Sequence, residues 1–166
     1  MPIMTPLELR SGLQPGQRLL GLDVGSKTVG LALSDPTQTV ATPLQTLRRT
    51  KFTRDAELLR RIAEEHEVGG LVIGLPVSMD GTEGPRCQSV RQFATNLLQV
   101  FELPVAFWDE RLSTAAVQRM LIDEADMSRR RRSEVVDKAA AAYILQGALD
   151  AISAQSLSGG APERRR

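Results

Sequence analysis

The apolar run GGLVIGLP, at residues 69–76, is the feature that most constrains the fold of this chain of 166 residues. A strand with one face in water alternates apolar and polar side chains, and this run has no such alternation. Continuous apolar strands are typical of sheets that helices cover on both faces. The run therefore predicts an α/β layer fold with a buried central strand.

The segments on either side of this run agree with that architecture. Other apolar runs predict further strands, at about 18–24, 28–34, 40–47 and 104–110. Helical periodicity predicts helices, at about 53–67, 87–100, 114–124 and 133–153. Strands that alternate with helices after an opening meander indicate helices packed on a mixed sheet. We expect one domain at 17–153, between mobile tails at 1–16 and 154–166 that are polar and contain Pro and Gly.

Composition and charge limit the functions open to the chain. The formal net charge is only +1, so nucleic-acid binding would depend on local basic clusters, such as residues 48–54 and 128–138. The single cysteine, Cys87, cannot close an intramolecular disulfide. No apolar run approaches the ~18 residues of a membrane span, and no signal pattern opens the chain. We expect a cytoplasmic protein that does not contact membranes.

Three carboxylates stand where a purely structural role explains them poorly. Asp23 follows the apolar LLGL in a strand, Glu110 closes the strand VAFWDE, and Asp137 shares a helical stripe with alanines. A buried carboxylate costs several kcal/mol unless it is compensated. If the fold brings the three together, a divalent cation would relieve their repulsion, and oxygen-only ligands suit Mg²⁺ or Mn²⁺.

Other roles for these and neighbouring acids stay open at this point. A strand-end aspartate such as Asp23 is often a turn former. Asp35 precedes a proline, which predicts that it shapes a turn. Asp109 and Glu110 are adjacent in an extended segment and point to opposite faces, so only one of them can face a common site.

Four blocks of the sequence closely resemble a known bacterial family. They are LGLDVGSKTVGLALSD, VIGLPVSMDGTEGPR, FWDERLST and RRSEVVDKAAAAYIL, and they extend over roughly residues 18–150. The family is the YqgF type, whose members are described as pre-16S ribosomal RNA nucleases and as Holliday-junction-resolvase-like proteins. The resemblance implies a ribonuclease H-like fold, with a five-stranded mixed sheet flanked by helices, and a metal-dependent acidic site. By motif it implies that Asp23, Glu110 and Asp137 are the catalytic and metal-binding residues.

The resulting hypothesis is an endonuclease that hydrolyses phosphodiester bonds with two Mg²⁺ or Mn²⁺ ions. The resemblance alone favours precursor small-subunit ribosomal RNA as substrate, in 5′-end maturation during ribosome biogenesis. Two alternatives stay open: a resolvase-like endonuclease for branched DNA, and a non-catalytic RNA-binding assembly factor. Four-way junctions usually require a symmetric dimer, and the sequence leaves open whether the protein is a monomer or a homodimer.

Basic and hydroxyl side chains near the acids predict contacts to substrate phosphates, because cations and helix starts both bind anions. The candidates are Lys27, Thr28, Arg111, Ser113, Thr114, Arg129, Arg130, Arg131, Arg132 and Lys138. For Ser113 and Thr114 the alternative is helix capping. For the arginine run it is a solvated surface.

Overall fold

The computed structural model describes residues 3–112 and 129–160, and for residues 129–137 and 156–160 it describes the backbone alone. Within these ranges the strands are β1 (Ile3–Met4), β2 (Arg18–Val24), β3 (Thr28–Ser34), β4 (Ala41–Arg48), β5 (Val68–Leu75) and β6 (Val105–Asp109). The α-helices are α1 (Pro6–Ser11), α2 (Phe52–Glu65), α3 (Pro85–Val100) and α4 (Arg129–Gly160). A short 3₁₀ helix, Glu110–Leu112, follows β6.

The described strands form one mixed sheet in the order β1-β6-β5-β2-β3-β4. Strands β1, β6, β5 and β2 run parallel, and β2, β3 and β4 form an antiparallel meander. β5, the predicted central strand, is buried at all but one of its positions, as its unbroken apolar sequence requires. The α/β prediction is confirmed, but the expected count of five strands is wrong because β1 adds a sixth.

Helices cover both faces of the sheet. Alternate residues of each strand point to opposite faces, so one strand contributes side chains to two separate cores. Leu22 of β2 belongs to a core beneath α2 and α3, whereas Leu19 belongs to a second core beneath α4. Gly21 lets α4 approach closely: a Cβ atom there would lie 2.8 Å from Leu145 Cβ and 3.1 Å from the Ala141 carbonyl oxygen. The alanine-rich side of α4 therefore packs directly on β2.

Residues 3–11 belong to the folded domain as β1 and α1, although the sequence predicted a mobile tail over residues 1–16. Thr5 and Glu8 form a capping box in which the Thr5 N–H donates to Glu8 Oε1 (2.9 Å) and the Glu8 N–H donates to Thr5 Oγ1 (3.2 Å). Leu9 is buried in the core beneath α4. The signal was present in TPLE, a Thr and a Glu three residues apart with Pro at the first helical position.

We predict that Thr5→Ala lowers the free energy of unfolding by about 1 kcal/mol, because it removes the acceptor that caps α1. Thr5→Ser keeps the hydroxyl and should match the wild type. Urea unfolding of the three proteins measures the difference. Equal midpoints for all three would show that the Thr5 cap does not contribute to the stability of the domain.

The last helix also differs from its predicted bounds. α4 extends over Arg129–Gly160, beyond the predicted 133–153, so it includes much of the segment assigned to a C-terminal tail. The predicted helix 114–124 lies outside the described residues. No helix in the described part of the chain has the length and apolar character that crossing a bilayer requires.

Candidate active site

Asp23 lies near the C-terminal end of β2, on the face that α4 covers. Residues two apart in a strand share a face, and Gly21, two residues earlier, lies against Leu145 of α4. Asp23 is only 4% exposed although it is one residue from the end of its strand. Its carboxylate is therefore largely shielded from water at the C-terminal end of β2.

Glu110 approaches the same place from the other side of β5. It is 7% exposed and begins the 3₁₀ helix directly after β6, one residue beyond the strand that it was predicted to close. A Cβ atom on Gly74 would lie 3.2 Å from Glu110 Cγ and 2.5 Å from Ile144 Cδ1 of α4. The Glu110 side chain thus lies on the face covered by α4.

Gly74 connects the positions of the two acids. In the β2–β5 register Leu22 pairs with Ile73, so Asp23 and Gly74 follow that pair on adjacent strands. β5 lies between β2 and β6, and Gly74 leaves open the space into which a side chain would otherwise project. Asp23 and Glu110 therefore lie on either side of Gly74, near the C-terminal ends of the parallel strands and on the face that α4 covers. The sequence signal was a glycine inside an apolar strand, which often marks a close approach.

The backbone of α4 carries residue 137 toward this edge. Gln146 Oε1 accepts a hydrogen bond from the Ala41 N–H (2.8 Å), and Ala41 pairs with Ser34, at the end of β3 remote from the partner of Asp23. Earlier residues of α4 therefore lie closer to Asp23. Asp137 is one turn before Ala141, whose carbonyl oxygen lies beside Gly21.

The two described acids fit a hard divalent cation, because buried carboxylate oxygens without Cys or His are the ligands that Mg²⁺ and Mn²⁺ take. Among the side chains that the structure describes, no group of three or more His, Cys, Asp or Glu is arranged to hold a metal. Of Asp137 the structure describes only the backbone. A metal site built from all three acids stays a prediction.

Asp109 and Arg111, on either side of Glu110 in the chain, pair with each other. Arg111 Nη2 donates to Asp109 Oδ2 (2.6 Å), and the Arg111 backbone N–H donates to Asp109 Oδ1 (2.9 Å). Hydrogen bonds from the guanidinium hold the pKa of Asp109 below its usual range. Of the two adjacent acids, Glu110 is thus the buried one. Asp109 instead orients the guanidinium of Arg111, which was predicted to bind phosphate.

The other predicted phosphate contacts fall in three groups. Lys27 is exposed on the turn between β2 and β3, Thr28 is half-buried at the start of β3, and Lys138 is half-buried on α4. Arg129–Arg132 form the start of α4, where the backbone alone is described. Ser113 and Thr114 lie outside the described residues.

Asp35 shapes a turn, as predicted. Its carboxylate accepts backbone N–H hydrogen bonds from Thr37, Thr39 and Val40, and a further one from the Thr37 hydroxyl. Burial raises the pKa of Asp35, but these hydrogen bonds together outweigh it and leave the pKa well below its usual value. Asp35 therefore stabilises the β3–β4 connection.

The sequence and the fold both match known proteins. Residues 17–151 match the family model described as "RuvX: Holliday junction resolvase". A protein of Paramagnetospirillum magneticum named "Putative pre-16S rRNA nuclease" is 67% identical over 150 residues, which cover 90% of this chain and 96% of that protein. A protein of Rhodospirillum rubrum with the same name is 58% identical over 155 residues, which cover 93% of this chain and 96% of that protein.

Among solved structures, the chain resembles one titled "T. thermophilus RuvC in complex with Holliday junction substrate". The TM-score is 0.51 at 14% identity, over 81% of this chain and 94% of that one. The likeness confirms the predicted ribonuclease H-like fold. The match to the family model extends over most of the domain and contains Asp23, Glu110 and Asp137. The chain therefore belongs to the RuvX Holliday junction resolvase family.

Proposed function

We propose that this protein is a metal-dependent endonuclease that hydrolyses a phosphodiester bond in precursor 16S ribosomal RNA, during 5′-end maturation in the cytoplasm. The observation that carries the proposal is the pair of buried carboxylates, Asp23 and Glu110, on one face of the sheet at one edge. The family match and the relatives' names confirm the activity class, a nuclease acting on phosphodiester bonds. The choice of RNA rests on the name of the curated relatives.

Nucleases with this fold generally use divalent metals. Asp23, Glu110 and Asp137 would hold Mg²⁺ or Mn²⁺. When bound, such ions activate water and stabilise the charge that develops on the leaving oxygen. Asp23 and Glu110 supply fixed oxygen ligands, because the strands and α4 hold both side chains in place. A preorganised ligand set spends no energy on rearrangement during the reaction.

The cations around the two acids would orient the substrate backbone. Arg111, which Asp109 fixes, follows Glu110 directly in the chain, and the exposed Lys27 lies on the turn after β2. We propose the same contact with substrate phosphates for a further set of residues: Thr28, Lys138, Ser113, Thr114 and the run Arg129–Arg132. Arginine suits a phosphate because its planar guanidinium can donate two parallel hydrogen bonds.

A resolvase-like action on branched DNA is the second candidate. It is favoured by the description of the family model as Holliday junction resolvase. Cutting a four-way junction symmetrically would require a homodimer, whereas RNA cleavage is open to a monomer. A non-catalytic RNA-binding factor is less consistent with the site, because buried carboxylates repel the phosphates that such a factor would hold.

The deciding experiment incubates wild type and Asp23→Asn with labelled precursor 16S RNA and, in parallel, with a four-way DNA junction. Each reaction contains Mg²⁺, Mn²⁺ or a chelator. We expect wild type alone to cut the RNA, and only with metal. Preferential cutting of the junction would show that the substrate is branched DNA and not RNA. Binding of RNA by both proteins without any cutting would replace the nuclease by the assembly factor.

A further inference from the structure

A basic groove opens beside the candidate active site, between the turn after β2 and the start of α3. Its volume is about 540 Å³. Lys27 projects from the turn and Arg86 from α3, and the hydroxyl-bearing residues Ser26, Thr28 and Ser89 line the space between them. None of the residues described along this groove carries a carboxylate, although the whole chain has 20 acids against 21 bases. The lining therefore favours an anionic ligand.

The groove and Asp23 lie on opposite faces of the same sheet edge. Val24 lines the groove and belongs to the core beneath α2 and α3, whereas Asp23, the residue before it, lies toward α4. Adjacent residues of a strand point to opposite faces, so the turn at 25–28 separates the two features. A polyanionic strand that crosses this turn can contact the groove on one side and the acids on the other.

Arg49 holds the turn that forms one wall of the groove. The Arg49 backbone N–H donates to the Lys27 carbonyl oxygen (2.8 Å), and Arg49 Nη1 donates to the Gly25 carbonyl oxygen (2.6 Å). Both acceptors belong to the turn between Asp23 and the phosphate candidate Thr28. One residue therefore fixes both ends of the segment that carries the Lys27 side chain.

The same guanidinium also contacts the helix that forms the opposite wall. The Arg49 Cζ atom lies 5.1 Å from the centre of the Phe93 ring of α3, a distance typical of a cation–π contact. The Phe93 ring packs edge-on against Phe52 at the start of α2, with ring centres 5.6 Å apart. Arg49 thereby connects the turn to α3, whose first residues supply Arg86.

We propose that this groove binds a backbone phosphate of the nucleic-acid substrate, and that Arg49 is the positioning residue that holds its two walls. The proposal rests on the proposed function, because it assigns part of the path of that substrate. Lys27 and Arg86 supply the charge that the phosphate meets. Arg49 acts through the turn, since its guanidinium is already engaged by Gly25 and Phe93.

The groove is tested by the affinity for labelled precursor RNA in the presence of a chelator, so that no cleavage occurs. Lys27→Ala and Arg86→Ala should each weaken binding by about fivefold or more and reduce the salt dependence by about one counterion. Arg61→Ala, an exposed arginine on α2 that does not line the groove, serves as the matched control and should bind within twofold of wild type.

The positioning role is tested by a double-mutant cycle. Arg49→Met alone should weaken RNA binding about as much as Lys27→Ala. In the Lys27→Ala background its effect should be at least about twofold smaller than in the wild type, because one of the two side chains that it positions is gone while Arg86 remains. Arg48→Met, an exposed neighbour, should not share the coupling with Lys27. Arg49→Lys retains a cation and a donor for Gly25 and should recover at least half of the lost affinity on a logarithmic scale.

The outcomes separate this inference from the nuclease proposal. Wild-type affinity in both Lys27→Ala and Arg86→Ala would overturn the groove, even if the wild type cuts RNA with Mn²⁺. Fully multiplicative effects of Arg49→Met and Lys27→Ala would overturn the positioning role. If RNA binding depends on Lys27 and Arg86 but the wild type never cuts RNA, only the nuclease proposal would be overturned. A parallel titration with the four-way DNA junction shows which backbone the groove prefers.

Discussion

Asp23→Asn is expected to lower metal-dependent cleavage by about a thousandfold or more while the protein stays folded. Asparagine keeps the size of the side chain but removes the negative charge that a divalent cation requires. Because the residue is buried and flanked by α4, solvent cannot replace the lost ligand in the same geometry. The free energy of unfolding should either fall by no more than about 1 kcal/mol or increase, because a buried charge that serves function often costs stability.

Glu110→Gln should have the same effect, and Asp109→Asn is its matched control. Asp109 is adjacent in the chain but pairs with Arg111, so its substitution should reduce the rate by no more than about tenfold. Single-turnover cleavage with Mn²⁺, together with thermal unfolding of each variant, makes the comparison. Equal losses at 109 and 110 would contradict the assignment of Glu110 as the metal ligand.

Gly21→Val is expected to produce the largest loss of stability, about 3 kcal/mol or more. Even the first added carbon would lie 2.8 Å from Leu145 Cβ, with the Ala141 carbonyl oxygen at 3.1 Å. Neither is the mobile end of a long side chain, so α4 would have to move away from β2. Because α4 carries Asp137 toward the site, cleavage should fall as well.

Gly12→Ala is the control for this prediction. The nearest atoms to a Cβ at Gly12 are 3.7 Å away, which is ordinary contact, and its φ of −86° suits alanine. Denaturant unfolding of both variants should therefore give a large shift for Gly21→Val and a small one for Gly12→Ala. A Gly21→Val protein as stable as the wild type would show that α4 packs less closely on β2 than the structure indicates.

Local sequence patterns predicted most of the sheet but not its first strand. The run at 69–76 lacks alternation, and its burial follows directly from that pattern. β1 has two residues and no period, and it exists because Ile3 and Met4 pair with Val105 and Ala106. Such a strand depends on a tertiary partner that no local pattern reveals. The capping box at Thr5, by contrast, was readable.

In the candidate site, too, some features could be predicted from local sequence and others required the tertiary structure. The buried charges of Asp23 and Glu110 could be inferred from apolar neighbours, and both side chains are buried. Their approach across β5 required the strand order, which brings β2 and β6 to either side of Gly74. Arg48 and Arg49 are adjacent in one basic run, and only the structure distinguishes the exposed arginine from the one that braces the turn. Long-range packing, rather than propensity, decides these features.

Calorimetric titration of Mn²⁺ into wild type, Asp23→Asn, Glu110→Gln and Asp137→Asn, without nucleic acid, measures whether the three carboxylates form one metal site. We expect saturable binding to the wild type and at least about tenfold weaker binding to each of the three variants. Asp109→Asn should bind as the wild type does. Undiminished Mn²⁺ binding by the Asp23→Asn and Glu110→Gln proteins would contradict a metal site built on these carboxylates.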